Sequence, residues 1–293
     1  MKVGLVTDVA WIVRHYDRVV QPESLVESWG FKIATLSSAF SDVHAVVAHD
    51  GKNVCAILPL VRCNGVNEVL GQFWGEGYGL RISAELWPEL LSKIEGPVSI
   101  SCCATKLPGM VEEKEKMALL SLSTHREKLE AYEATFADAD SRRTLKQALA
   151  WKDQAKVVGV LEATDNDLCT LSALSIARLK GESRFVMGSA HMECFARLVR
   201  YLSSVTALQV LRYQVRGELA GIAFFAMDWK RDMVVFLAGH SVEGLDNFGK
   251  YMYYSFAELA EKWNLRFVSA MAPMYRIKRD MGYKEKPLYG LER

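Results

Sequence analysis

The sequence lacks the features that mark a chain for a membrane, a metal or a polyanion. No apolar run reaches the roughly 18–20 residues that a membrane-spanning helix needs. Met1 to Trp11 has Asp8 inside its apolar stretch and only Lys2 as an early cation, which is not the pattern of a signal peptide. The six cysteines form no Cys-x-x-Cys and no Cys/His ligand spacing. They read as reduced core residues of a cytoplasmic protein, and no metal is expected. An excess of one charge is missing too: 36 Lys and Arg stand against 35 Asp and Glu, a formal net charge of +1. That balance excludes a global attraction to nucleic acid or anionic lipid and leaves only local patches open. A phosphate-binding P-loop, a dinucleotide fingerprint and a G-x-S-x-G nucleophile setting are all absent.

What is present is material for a large core. Of the 293 residues, 50% are hydrophobic and 24% charged, enough for one large domain or two of ordinary size. Two stretches share one layout. In the first, His44–His49 and Val54–Val61 flank Asp50-Gly51, a strand, tight turn and strand. A third apolar stretch, Val69–Phe73, runs into the glycine-rich loop Trp74–Gly79. A helix over 84–94 with Ser83 as N-cap and a strand over 98–103 follow. In the second, Leu208–Val215 and Leu219–Ala226 flank Arg216-Gly217-Glu218. A third strand over 233–239, the loop 240–249, a helix over 251–263 and a strand over 265–271 come next. Gly51 and Gly217 are 166 positions apart and the elements keep their order around each, so the pattern reads as a structural repeat.

Between the repeats, 123–152 is polar and helical, and helical spacing recurs over 167–180 and 191–203. Strands joined by two-residue turns and mixed with helices predict an α/β (α+β) class with mostly antiparallel sheets flanked by helices. The halves divide as 1–125 and 126–293.

These segments resemble the FemAB/BioF2-like acyltransferases, tandem relatives of the GCN5-related N-acetyltransferase fold. The resemblance rests on Ile57-Leu58-Pro59-Leu60 after the first turn, on Leu70-Gly71 with Gly77-Tyr78-Gly79, and on Ser141-Arg142-Arg143-Thr144-Leu145. Asp167-Leu168 through Arg178, Ser183-Arg184-Phe185 and Arg216–Gly221 continue it, and it ends on Tyr275–Tyr283. It implies two tandem acetyltransferase-like halves and an acyltransferase. It also implies that Lys278 lies at the acyl-transfer site. One departure stands out: where acetyl-CoA enzymes of the wider fold carry a Q/R-x-x-G-x-G/A loop, this chain has Asp246-Asn247-Phe248-Gly249-Lys250-Tyr251, which begins with an acid.

Transfer to an amine requires a deprotonated amine, a stabilised oxyanion and an aligned donor. His240, at the expected end of a strand, is a candidate base or a strand-capping residue, with Ser241 beside it. Lys278, flanked by Arg276 and Arg279, is a candidate for the oxyanion or a donor phosphate, or else part of a solvated basic turn. Trp74, Glu76 and Tyr78 form a candidate acceptor loop or a plain glycine-rich turn. Asp246, Asn247, Lys250 and Tyr251 are candidates for the donor, with helix capping as the alternative for the first two. Arg142, Arg143 and Lys146 form a basic helical face that suits tRNA phosphates if the donor is charged tRNA, and is otherwise solvated.

The expected function is N-acyl or aminoacyl transfer by direct attack, with an acyl-CoA, an acyl-carrier protein or an aminoacyl-tRNA as donor and a small-molecule amine as acceptor. A fused pair of halves needs no second chain, so a monomer suffices. The alternatives are an inactive protein that binds or scaffolds on this fold, and an O-acyltransferase of a polysaccharide or secondary metabolite.

Overall fold

Short turns and alternating apolar strands build two seven-stranded sheets, each in its own compact unit. The computed structural model describes residues 1–36, 40–72, 78–122, 128–271 and 273–293. The first unit comprises Met1–Lys116 with Pro287–Arg293, and the second Met117–Lys286. They differ from the halves expected at 1–125 and 126–293 by an exchange of strands, since one strand before residue 125 pairs in the second sheet and the last strand returns to the first.

The first unit holds β1 (Lys2–Val6), α1 (Val9–Val20), α2 (Trp29–Ala34), β2 (Phe40–Asp50), β3 (Asn53–Cys63) and β4 (Val66–Val69). It continues with α3 (Trp87–Ser92), β5 (Val98–Cys103) and β6 (Val111–Glu112). The second holds β7 (Met117–Ser121), α4 (Lys128–Ala134), α5 (Ala139–Leu149), β8 (Ala155–Val160), α6 (Asp165–Leu179) and α7 (Ala190–Ser204). After these come β9 (Leu208–Val215), β10 (Glu218–Asp228), β11 (Met233–Ser241), α8 (Phe248–Lys262), β12 (Phe267–Ser269), α9 (Arg276–Asp280) and β13 (Lys284–Lys286). The chain then closes the first sheet with β14 (Tyr289–Glu292).

The strand orders are β1-β2-β3-β4-β5-β14-β6 and β13-β7-β12-β11-β10-β9-β8. Both sheets are largely antiparallel, with β4–β5 and β11–β12 as parallel pairs. The turns explain the hairpins: Arg216 and Gly217 take φ of +54° and +82°, the primed geometry whose twist matches the strands that it joins.

In the first unit, Ile12, Tyr16 and Val20 lie four residues apart on one face of α1, all buried on the sheet beside Ala45, Val47 and Ile57. Trp29 closes that cluster with its ring 5.4 Å from Tyr16, and its backbone N–H donates to Asp17 Oδ1 at 2.8 Å. In the second, neighbouring residues of β10 face opposite ways. Phe224 meets Phe195 of α7 with ring centroids 5.2 Å apart, and Phe225 meets Phe256 of α8 at 4.8 Å. Helices therefore cover both faces of the second sheet.

Some bounds differ from expectation for local reasons. The helix expected over 84–94 spans only Trp87–Ser92, with Pro88 in its first turn and Ser83 Oγ accepting from the Leu86 N–H at 3.4 Å. The long central helix is two, because the Asp138 carboxylate caps a fresh start by accepting from the N–H groups of Asp140 and Ser141. The strand expected to reach Met271 ends at Ser269, since Met271 turns to φ +56°.

One charge is sealed in the first unit. Lys32 is 1% exposed, and its ammonium donates to the Leu70 carbonyl at 2.9 Å. Burial pushes its pKa down to about 8, against the opposite pull of Glu27, Cys103 and Asp17. A lowered folded-state value means that the unfolded chain holds the proton more tightly, so stability rises with pH between the two values. Unfolding free energy is expected to climb by on the order of 3 kcal/mol from about pH 8 to pH 10.5 relative to a Lys32→Met variant. Denaturant titrations of both proteins across that range check it.

Candidate active site

The site builds from β11 outwards. β10 and β11 pair closely at Gly239, where a Cβ would stand 2.8 Å from the Ile222 carbonyl oxygen; only glycine permits this approach. β11 and β12 run parallel from Met233–Phe267 to Val235–Ser269 and then part. β11 continues alone on that side to His240 and Ser241, and the chain turns through Gly244 at φ +85° into α8. Asn247 stands at the N-cap of α8 at φ +62° without a side-chain capping bond.

A cleft of about 760 Å³ opens beyond Ser241, between the start of α8, the end of α6 and α9. Arg178, Lys250 and Arg276 supply cations to it, and Glu243 and Asp280 supply carboxylates. Arg178 Nη1 donates to Ser241 Oγ at 3.2 Å. Its helix is held at both ends. Near the start of α6, Asp167 takes two 2.7 Å bonds from Arg212 of β9. Toward the far end, Ser175 and Ser183 hydroxyls meet at 2.7 Å, and the Met187 N–H donates to Ser172 Oγ at 3.2 Å. Lys250 Nζ donates to Gln147 Oε1 of α5 at 2.6 Å. Arg276 is 93% exposed at its side chain and only 3.8 Å from Asp280, a contact that leaves its guanidinium open to a ligand.

Of the residues anticipated from the sequence, Ser241, Asn247, Lys250 and Arg276 meet in this cleft. His240 lies next to it on β11, half-buried, and burial followed by the nearby Arg178 pushes its pKa down to about 4. Asp246 offers its backbone carbonyl to Trp151 Nε1 at 3.0 Å. Tyr251 packs in the core, 2% exposed, edge-on to Phe248 at 5.8 Å. Lys278 is 2% exposed, and its ammonium donates to the carbonyls of Ala270 and Pro273 at 2.7 Å and of Met271 at 3.2 Å. An ammonium has three N–H donors, and three carbonyls stand within reach of this one. Arg143 pairs with Asp140 at 3.4 Å on an exposed helical face, and Arg142 donates to the Ala137 carbonyl. Trp74 and Glu76 lie outside the described residues, and Tyr78 is buried in the first unit.

Arg178, Glu243 and Asp280 were not anticipated as site residues. Arg178 follows an apolar helical stretch in the sequence and carries no motif of its own; only its place in the last turn of α6, beside Ser183-Arg184-Phe185, marked the segment.

The sequence matches no known family profile and no curated protein. The fold has clear relatives. FemX aligns over 99% of this chain and 97% of its own with a TM-score of 0.63 at 10% identity. The chain has the tandem GCN5-related N-acetyltransferase fold. A tandem protein of that fold from the clavulanic acid biosynthesis pathway aligns over 99% of this chain and 98% of its own, with a TM-score of 0.55 at 10% identity. The C-terminal domain of a putative lysylphosphatidylglycerol synthetase from Agrobacterium fabrum gives 0.53 at 12% identity over 96% of this chain and 91% of its own. The cleft of the second unit opens past the end of β11, at the start of α8.

The His240 imidazole is expected to titrate with a midpoint of about 4 in a proton NMR experiment, not at its ordinary 6.5. Arg178→Ala is expected to raise that midpoint and leave it below 6.5, because burial is the larger cause.

Proposed function

We propose that the protein is an acyltransferase whose second unit holds an activated, phosphate-bearing acyl donor in the 760 Å³ cleft, and that it passes the acyl or aminoacyl group to an amine. The observation that carries this reading is the convergence of Arg178, Lys250 and Arg276 past the end of β11, at the start of α8. Guanidinium groups suit phosphate oxygens in both geometry and charge. The likeness in fold to FemX and to the clavulanic acid pathway protein supports transfer chemistry.

The reaction is direct attack. The acceptor nitrogen bonds to the donor carbonyl carbon, the carbonyl oxygen takes the negative charge, and the tetrahedral species collapses with loss of the thiol or hydroxyl leaving group. The ammonium proton leaves to solvent or to the departing group. His240, with a pKa of about 4, is neutral near pH 7 and a weak acceptor for that proton. The acceptor amine therefore arrives neutral, and its own ionisation sets the pH dependence. Lys278 acts on the segment after β12 through the three carbonyls, as a positioning residue.

The charge mixture favours one donor class over the others. Glu243 and Asp280 share the cleft with the three cations, and the loop before α8 carries Asp246 where acetyl-CoA enzymes of this fold have glutamine or arginine. A coenzyme A diphosphate brings only negative charge. An aminoacyl ester on a terminal adenosine brings an ammonium and a phosphodiester together, and it matches both signs.

Thermal shift with acetyl-CoA, an acyl-carrier protein and an aminoacyl-tRNA, each at low and high salt, tests the reading. A salt-sensitive stabilisation by the charged tRNA is expected. Arg178→Ala is expected to raise the donor KM roughly tenfold with an unchanged melting temperature. The pH profile of kcat/KM is expected to rise with the ionisation of the acceptor amine and to show no inflection near 6.5. If every donor fails to stabilise the protein and to support turnover, the fold serves binding or scaffolding in this chain.

A further inference from the structure

Both units contain the same opening, and its edges are treated differently. In each sheet a parallel strand pair starts in register and then separates: β4 from β5 after Asn67–Val98 and Glu68–Ser99, β11 from β12 after Val235–Ser269. Peptide groups past such a parting have no ladder partner, and buried ones must find another. They are also the groups that a donor's amide or carbonyl can bond when it lies between the strands.

In the first unit the chain's own atoms take those groups. The Gln72 carboxamide donates through Nε2 to the Ser99 carbonyl at 3.2 Å and accepts at Oε1 from the Ser101 N–H at 3.1 Å. A side-chain amide thus stands in for one peptide of the missing strand. Two residues further along β5, the chain itself returns. The Tyr78 N–H donates to the Cys102 carbonyl at 3.4 Å, and the Tyr78 carbonyl accepts from the Ala104 N–H at 2.8 Å, which makes a parallel bridge beside Cys103. Past β4, Lys32 holds the Leu70 carbonyl with its ammonium 5.0 Å from the centre of the Tyr78 ring. Gln72, Tyr78 and Lys32 are all buried.

In the second unit, among the described residues, no strand or bridge pairs with β11 on that side beyond Val235, although β11 runs on to Ser241. Lys278 takes carbonyls just past the end of β12, and the cationic cleft opens past the end of β11.

We infer that the two units are unequal in binding: each chain takes one donor, in the second unit, and the equivalent opening of the first is filled by Gln72 and the Tyr78 segment as a permanent internal ligand. This rests on the donor reading above and adds to it a number and the reason why the first unit takes no donor.

Native mass spectrometry and calorimetric titration of the full chain test it, with acetyl-CoA and an aminoacyl-tRNA carrying a non-hydrolysable 3′-amide as separate probes. One site per chain is expected for whichever probe binds. Arg178→Glu, in the second unit, is expected to weaken that site by roughly 10- to 100-fold. Gln72→Glu aims a carboxylate oxygen at the Ser99 carbonyl, and it is expected to lower the melting temperature while the stoichiometry stays at one. Two sites per chain overturns the inference and leaves the donor reading standing, whereas a single site that survives Arg178→Glu at full affinity overturns both. Absence of binding by both probes overturns that reading and this inference with it.

Discussion

Parallel pairing in each otherwise antiparallel sheet imposes a constraint from which the rest of the molecule follows. β4 and β5, like β11 and β12, start in register and then part: in the second unit β12 ends at Ser269, with Met271 at φ +56°, while β11 runs on to Ser241. A sheet that divides in this way exposes unbonded peptide groups in its interior, an expensive condition away from water. In the first unit Gln72 and Tyr78 meet that demand with hydrogen bonds to Ser99, Ser101, Cys102 and Ala104.

In the second unit polar side chains gather past the end of β11. Ser241 and Arg178 meet at the strand end, Lys250 is steadied by Gln147, and Arg276 is left largely in solvent. Arg178 acts at a distance from the residue that secures its helix: the Asp167–Arg212 pair lies three turns earlier on α6, and the serines near the other end fix the remaining play. Lys278 shows the same economy. A cation on a helix of five residues becomes the fastener for the segment that follows β12, where the backbone at Met271 enters left-handed space.

Turns, strands and one lip of the cleft were legible in the sequence because each depends on neighbours along the chain. Asp50-Gly51 and Arg216-Gly217 announce hairpins by local chemistry, and Ser241, Asn247 and Lys250 fall at the strand end, the loop and the helix start that follow the second hairpin. Burial was not legible for Lys278 and Tyr251. Both are polar-headed residues, and only tertiary packing shows one under backbone carbonyls and the other within an aromatic core. Arg178 and Gln72 went unmarked for the same reason: their partners Ser241, Ser99 and Ser101 are 63, 27 and 29 residues away. The strand exchange between the sheets was hidden too, since a short strand names no partner.

That exchange has a consequence for synthesis. β14 lies between β5 and β6, so the first sheet receives an interior strand from a segment that follows the whole second unit along the chain. The second unit is one unbroken stretch, Met117–Lys286, and all of it has been translated before β14 exists. The usual order in which the amino-terminal domain finishes first is reversed. While the second unit is being made, β5 and β6 wait without the strand that lies between them, and the unit begun first closes after the one begun second.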